Sequence, residues 1–197
     1  MTRTIQHTIG RARGKTRGAG LRLLLGLILG AVLLAAPVGA SAQTEAQRTQ
    51  DLIRSAMIYN FCKFVQWPAD TLGDSIVLGV LGDQTQAPDF SSIVGKSVGD
   101  IPVTVRLVRS EADLRQCQLV YITAEARELV EPTLAVARAE SILTISEQDG
   151  FCQDGGIIQL VERRGKLRFF INRQAADRAQ LALSSQLLKV AKIVEGG

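Results

Sequence analysis

Residues 75–81 form a short, almost wholly apolar run that stops at Gly82 and Asp83. A run of that length, rich in Ile and Val and closed by turn residues, predicts a strand buried on both faces. Such a strand requires other strands beside it and helices above and below it. The following residues supply both. Val103, Val105 and Leu107 alternate with Thr104 and Arg106, which predicts a strand over 103–108 with one wet face. Residues 110–115 predict a short helix with Ser110 as its N-cap, and 119–122 a strand. Residues 124–139 predict an amphipathic helix carrying Leu129, Leu134 and Val136, and 141–145 a further strand. Strand, helix, strand, helix, strand is the order of an α/β three-layer sandwich. Its expected core is a mixed, mostly parallel sheet with helices on both faces.

The flanking segments fit the same architecture. Ile53, Met57, Phe61, Phe64 and Val65 recur at three- and four-residue intervals, predicting a helix over 44–67 that Pro68 ends. Between the first two strands, a polar loop with Pro88 leads to an expected short helix over 89–94. Residues 156–162 and 166–171 read as two strands joined by Arg163, Arg164 and Gly165, a C-terminal β-hairpin. Asn172 is placed to cap a helix starting near Arg173. Leu181, Leu183, Leu187, Leu188, Val190, Ala191 and Val194 then predict a covering helical stripe. No repeat or low-complexity tract interrupts residues 43–197, so one domain is expected there.

Ahead of it, residues 1–42 read as a signal peptide. A basic stretch precedes an apolar run over 23–36, and Ala40 and Ala42 fit a small-residue cleavage site after Ala42. The apolar run is shorter than the roughly 20 residues a spanning helix needs; an uncleaved anchor is the competing reading. Arg11 and Arg13 are split by Ala12, so the twin-arginine pattern is absent and export by the general secretory route is expected. The leader also distorts the charge. It holds six of the 23 basic residues and no acid, and without it 17 basic residues face 19 acidic ones. The formal net charge of +4 is therefore no sign of nucleic-acid binding, which needs a cationic excess on the folded part.

Catalytic chemistry finds little to work with. The single histidine, His7, lies in the leader, removing the usual general base and the commonest metal ligand. Gly14, Lys15 and Thr16 resemble the end of a phosphate loop but lack the first glycine and a preceding strand. The glycines of 150–156 precede a strand rather than opening a helix, and read as a tight loop. Glu125, Glu128, Asp149 and Asp154 carry no spacing that singles out an acid–base pair. Cys62, Cys117 and Cys152 contain no C-x-x-C pair, so no metal and no cofactor is expected. An odd number of cysteines cannot pair fully within one chain. One bridge with one free thiol, an intermolecular bridge, or three buried thiols each account for the number.

The segment Ile58, Tyr59, Asn60, Phe61, Cys62, Lys63, Phe64, Val65, Gln66, Trp67, Pro68 is more distinctive than its periodicity requires. It resembles the signature near the mature start of the YfiR-like family. Residues 78–82, 117–122, 141–146, 155–156, 169–172 and 183–188 resemble later family segments in the same order. The resemblance implies a periplasmic repressor, not an enzyme. It implies binding to the periplasmic domain of a membrane-bound diguanylate cyclase, lower cyclic di-GMP output and reduced biofilm formation. It also implies an outer-membrane lipoprotein that sequesters the repressor, and a homodimer. Tyr59, Asn60, Phe61, Lys63, Phe64, Trp67, Pro68 and Asn172 are then the motif residues and candidate partner contacts. On periodicity alone the four aromatics read as core, and exposure would be the mark of an interface.

The cysteines depart from the family pattern. Cys117 and Cys152 each match one half of a family disulfide, and the partner positions fall near Gly79 and Gln159. Cys62 stands where a small residue is usual, and a Cys62–Cys117 bridge is the one internal pairing considered, with unpaired thiols favoured. Phe170 stands where the family often has Glu. A periplasmic small-ligand-binding module serving a sensor kinase or transporter is the alternative function, since α/β sheets carry clefts at strand ends. A hydrolase working without histidine ranks third.

Overall fold

The computed structural model of the chain describes residues 38–196, with side chains from residue 45. The chain divides into two units after Thr44, and the second, Glu45–Gly197, holds the sheet and its helices. The expected signal peptide lies outside the described residues apart from the backbone of its last turn. Helix α1 spans Val38–Phe64 and is followed by the two-residue strand β1, Val65–Gln66. The other strands are β2 (Ile76–Leu81), β3 (Ser97–Val98), β4 (Ile101–Val108), β5 (Leu119–Ile122), β6 (Leu143–Ser146), β7 (Ile158–Arg163), β8 (Lys166–Asn172), β9 (Ala182–Leu183) and β10 (Lys192–Val194). The helices α2 (Glu111–Leu114), α3 (Val130–Ala139), α4 (Arg173–Arg178) and α5 (Ser185–Val190) connect them.

Eight strands form one sheet in the order β10-β8-β7-β6-β5-β2-β4-β3. Neighbours from β7 through β4 run parallel, while β8 turns back on β7, β10 runs parallel to β8, and β3 is antiparallel to β4. The mixed, mostly parallel three-layer sandwich and its C-terminal hairpin plus helix are thus present. Alternation along the strands divides the core in two. Ile76, Leu78, Val80, Leu119, Tyr121, Leu143 and Ile145 join Ile58 and Phe61 of α1 on one face. Val120 and Ile122 join Leu114, Val130, Leu134 and Ala137 of α2 and α3 on the other. Central strands covered on both faces explain why their sequences are continuously apolar.

Four expectations need correction. Helix α1 ends at Phe64, before Trp67, because Val65 and Gln66 pair antiparallel with Leu183 and Ala182. Its buried stripe is Ser55, Ile58, Phe61 and Cys62, while Ile53 is 49% exposed. No helix forms over 89–94. The Asp89 carboxylate accepts the Ser91 N–H at 2.9 Å, and Phe90 and Ile93 are buried with a turn between them (Ile93 N–H to Phe90 carbonyl, 3.0 Å). The segment predicted as one helix over 124–139 starts as a 3₁₀ turn at Arg127–Leu129 and becomes α-helical from Val130.

The terminal stripe is the fourth. Gln180 takes a left-handed φ of 57° and stops α4, Leu181 is buried and Ala182–Leu183 pairs with β1. Ser184 then caps α5 by accepting the Leu187 N–H, and β10 adds a strand beyond β8. The spacing of Leu181 and Leu183 is that of a strand, and it was absorbed into a helical pattern because longer apolar spacings follow it.

The hairpin loop is Arg164 and Gly165, since Arg163 pairs with Lys166. Both have positive φ, 54° and 69°, as a type I′ turn demands. Glycine meets that demand at no steric cost, and arginine does not. Arg164→Asn, which restores the favoured Asn-Gly turn, is expected to stabilise the protein by about 0.5 kcal/mol, read as a raised urea midpoint at unchanged slope. A midpoint that falls would contradict this turn assignment.

Candidate functional site

The motif helix is fastened to the sheet layer at well-separated points. Tyr59 is half-buried and its hydroxyl donates to the Ser97 carbonyl at 2.6 Å, tying α1 to the β3 edge. The ring carries two ammonium groups, Lys63 Nζ at 4.3 Å and Lys96 Nζ at 5.5 Å from its centroid. Phe61 is buried and meets Phe169 of β8 edge to face, with centroids 5.0 Å apart. Trp67 Nε1 donates to the Gln118 carbonyl at 2.9 Å, just before β5. Phe64 is half-buried, and its carbonyl accepts the Ser184 N–H at 2.8 Å. The Pro68 carbonyl accepts both the Thr71 N–H and its hydroxyl. Asn172 is buried far along the chain. Its side-chain oxygen caps α4 through the Ala175 N–H, and its Nδ2 donates to the Cys152 carbonyl at 2.8 Å.

The motif therefore divides by role. Tyr59, Phe61, Phe64, Trp67, Pro68 and Asn172 are anchors, while Asn60 and Lys63 face solvent. Leu52 at 54% and Ile53 at 49% exposure lie about two turns before Asn60, with exposed Ala56 between. Spacings of three and four residues place Leu52, Ala56, Asn60 and Lys63 on one outward stripe. Leu52 belongs to no motif, and Ile53 counts toward the expected buried stripe, because an apolar residue in an amphipathic pattern is read as core.

A second feature lies at the carboxyl ends of the strands. A polar crevice of about 440 Å³ opens between α1 and the segments following β2, β5 and β6. Arg54 crosses it. Its Nε donates to Glu147 Oε1 at 2.9 Å, its Nη2 lies 3.6 Å from Glu162, and its side chain is 14% exposed. Tyr121 adds its hydroxyl to the same Glu147 oxygen at 3.0 Å. Burial, and then the neighbouring Glu147 charge, raise the Tyr121 phenol, so it stays a donor. Asp51 and Glu125 also line the crevice. Of Glu125, Glu128, Asp149 and Asp154 only Glu125 reaches it, and Arg54 and Glu147 carry no sequence signal beyond Glu147 following a buried strand. The arrangement can hold a polar or cationic group, and it places no nucleophile beside a base.

All three cysteines are buried and free. Burial pushes the Cys62 thiol up to about 12, Cys117 to about 11 and Cys152 to about 12. Cys62 packs in the α1 layer and Cys117 in the α2–α3 layer, so the sheet separates them and the Cys62–Cys117 bridge is not formed. Gly79 and Gln159, where the resemblance puts the partner positions, lie beside Cys117 and Cys152. A Cβ placed on Gly79 would lie 3.6 Å from Cβ and 2.7 Å from Sγ of Cys117, the spacing of a disulfide. The Gln159 side chain accepts the Cys152 N–H at 3.5 Å.

Two measurements check this geometry. Arg54→Ala leaves Glu147 and its buried phenol partner without their cation and is expected to cost about 2 kcal/mol in urea unfolding; an unchanged midpoint would contradict the network. A maleimide is expected to label none of the three thiols in native buffer and all three in denaturant. Rapid native labelling of any one would show that its layer is not closed.

Among the described residues no helix is long and apolar enough to cross a membrane, and no group of His, Cys, Asp and Glu is placed to hold a metal ion. No curated protein matches the chain. The YfiR/HmsC-like family model matches residues 51–192, which takes in the motif, the strands β1 to β9 and the crevice lining apart from Gln47. The chain belongs to the YfiR/HmsC-like family of regulatory proteins.

Proposed function

We propose that this protein is a periplasmic repressor that binds the periplasmic domain of an inner-membrane diguanylate cyclase and holds the cyclase inactive, lowering cyclic di-GMP and biofilm formation. Family membership supports this reading, and the outward stripe of α1 is the observation that carries it to particular residues. Leu52 and Ile53 expose apolar surface beside Asn60 and Lys63 on a helix fixed along its inner side. Apolar surface bordered by polar groups on a rigid element suits partner binding, since little ordering entropy is lost on docking. Repression needs only differential affinity for one cyclase conformation. About 5.5 kcal/mol of preference carries a partner from almost wholly active to almost wholly inactive. The same reading includes export with cleavage after Ala42, sequestration by an outer-membrane lipoprotein, and a homodimer.

Deleting the gene is expected to raise cellular cyclic di-GMP, and the wild-type gene to restore it. A Leu52→Asp, Ile53→Asp double variant is expected to accumulate and melt normally yet fail to restore it. Full complementation by that variant would remove α1 from the interface; cyclic di-GMP unchanged on deletion would overturn the repressor reading itself.

A further inference from the structure

The strand order places a switch point between β2 and β5. The chain leaving β2 passes over the α1 face through Phe90 and Ile93 to reach β4, whereas the chain leaving β5 passes over the opposite face through α3 to reach β6. Crevices open at the carboxyl ends of strands where connections diverge in this way. Gly82 and Thr123 mark the point here. A Cβ on Gly82 would run into the Thr123 hydroxyl, and that hydroxyl is fully buried with no hydrogen-bond partner among the described residues. The polar crevice lies on the α1 side. A different cavity, of about 400 Å³, lies on the other side, between α2 and α3.

Its walls and its mouth differ in character. Leu81, Val108, Leu114, Leu129 and Val136 line it, with Arg109 among the residues at the end of β4. Arg109 makes no ion pair among the described residues, and its backbone N–H is what engages Asp113, at 3.1 Å. The two acids that follow Arg109 in the chain are engaged elsewhere. Glu111 pairs with Arg115 at 2.7 Å, and Asp113 accepts the Ser110 hydroxyl at 2.9 Å as well as the Arg109 N–H. Exposed Arg109, and Glu111 with its charge paired to Arg115, therefore border an apolar hollow whose size suits a small molecule.

We propose that this cavity binds a small carboxylate with an apolar body. The hydrocarbon part lies against Leu81, Val108 and Val136, and the carboxylate meets the Arg109 guanidinium, whose fork matches two oxygens. A neutral molecule of the same body would leave the cation without a partner, and an amine would be repelled by it. The site lies on the opposite face of the sheet from α1, so it stands whether or not α1 docks a cyclase.

The test uses three probes with one tail: octanoate, 1-octanol and octylammonium, titrated into the protein with amide shifts recorded by NMR. Octanoate is expected to bind saturably, shifting residues 108–114 and 129–136, with octanol at least about tenfold weaker and octylammonium weaker still. Arg109→Glu, an exposed change, is expected to weaken octanoate at least about tenfold and to reverse the preference toward octylammonium. Val136→Trp is expected to abolish binding of all three by filling the hollow. Octanoate binding that Arg109→Glu leaves unchanged, shifts confined to other residues, or no saturable binding would each overturn the proposal.

Discussion

A parallel sheet exposes two apolar faces, and both must be covered before the strands are stable. In this chain α2 and α3 cover one face in sequence between the strands they join. The other face depends on α1, which precedes the whole sheet, together with the Phe90–Ile93 turn and the C-terminal helices. Ile58, Phe61 and Cys62 are at most 1% exposed, and Ile58 and Phe61 each contribute about 1.5–3 kcal/mol by leaving water. Everything on the α1 side, the crevice included, is positioned by how that helix sits.

This dependence explains why the motif is dense in aromatics with polar tips. A plain apolar helix would bury as well but could slide or rotate. The Tyr59 hydroxyl in the last turns of α1 and the Trp67 indole N–H just beyond its end reach separate backbone carbonyls, and Phe61 meets a ring of the hairpin. Each polar bond alone contributes about 1 kcal/mol. Together they select one register, and the outward residues Leu52, Ile53, Asn60 and Lys63 are presented in a fixed arrangement. The Arg54–Glu147–Tyr121 network adds a fourth tie, across the strand ends. A regulator that acts by holding a partner benefits from such pre-organisation.

Much of this was legible in the sequence, and the failures have physical causes. The buried strands β2, β5 and β6 announce themselves by continuous apolar runs, and the hairpin and the Ser110 and Asn172 caps by local chemistry. The Phe90–Ile93 segment and the C-terminal stripe were misread because apolar residues three or four apart suit a buried turn or alternating short elements as well as a helix. Tertiary pairing of β1 with β9 decided both where α1 ends and how the terminus folds. The motif identified the family without disclosing its surface, since its aromatics are anchors. Arg54, Glu147 and Arg109 were invisible because isolated charges acquire meaning only when strand ends converge. The cysteines were half legible: their number warned of unpaired thiols, while their separation by the sheet required the fold.

The proposed function makes the outer face of α1 the surface that would hold a membrane partner outside the cytoplasm. Site-specific photo-crosslinking in intact cells addresses it directly, with the photoreactive residue placed at Ile53 and, as a control, at the exposed hairpin residue Lys166. The account predicts that Ile53 crosslinks to a membrane protein bearing a cyclase output domain and that Lys166 does not. Crosslinks to that protein from Lys166 but not Ile53, or none from either position with the exported protein present, would contradict it.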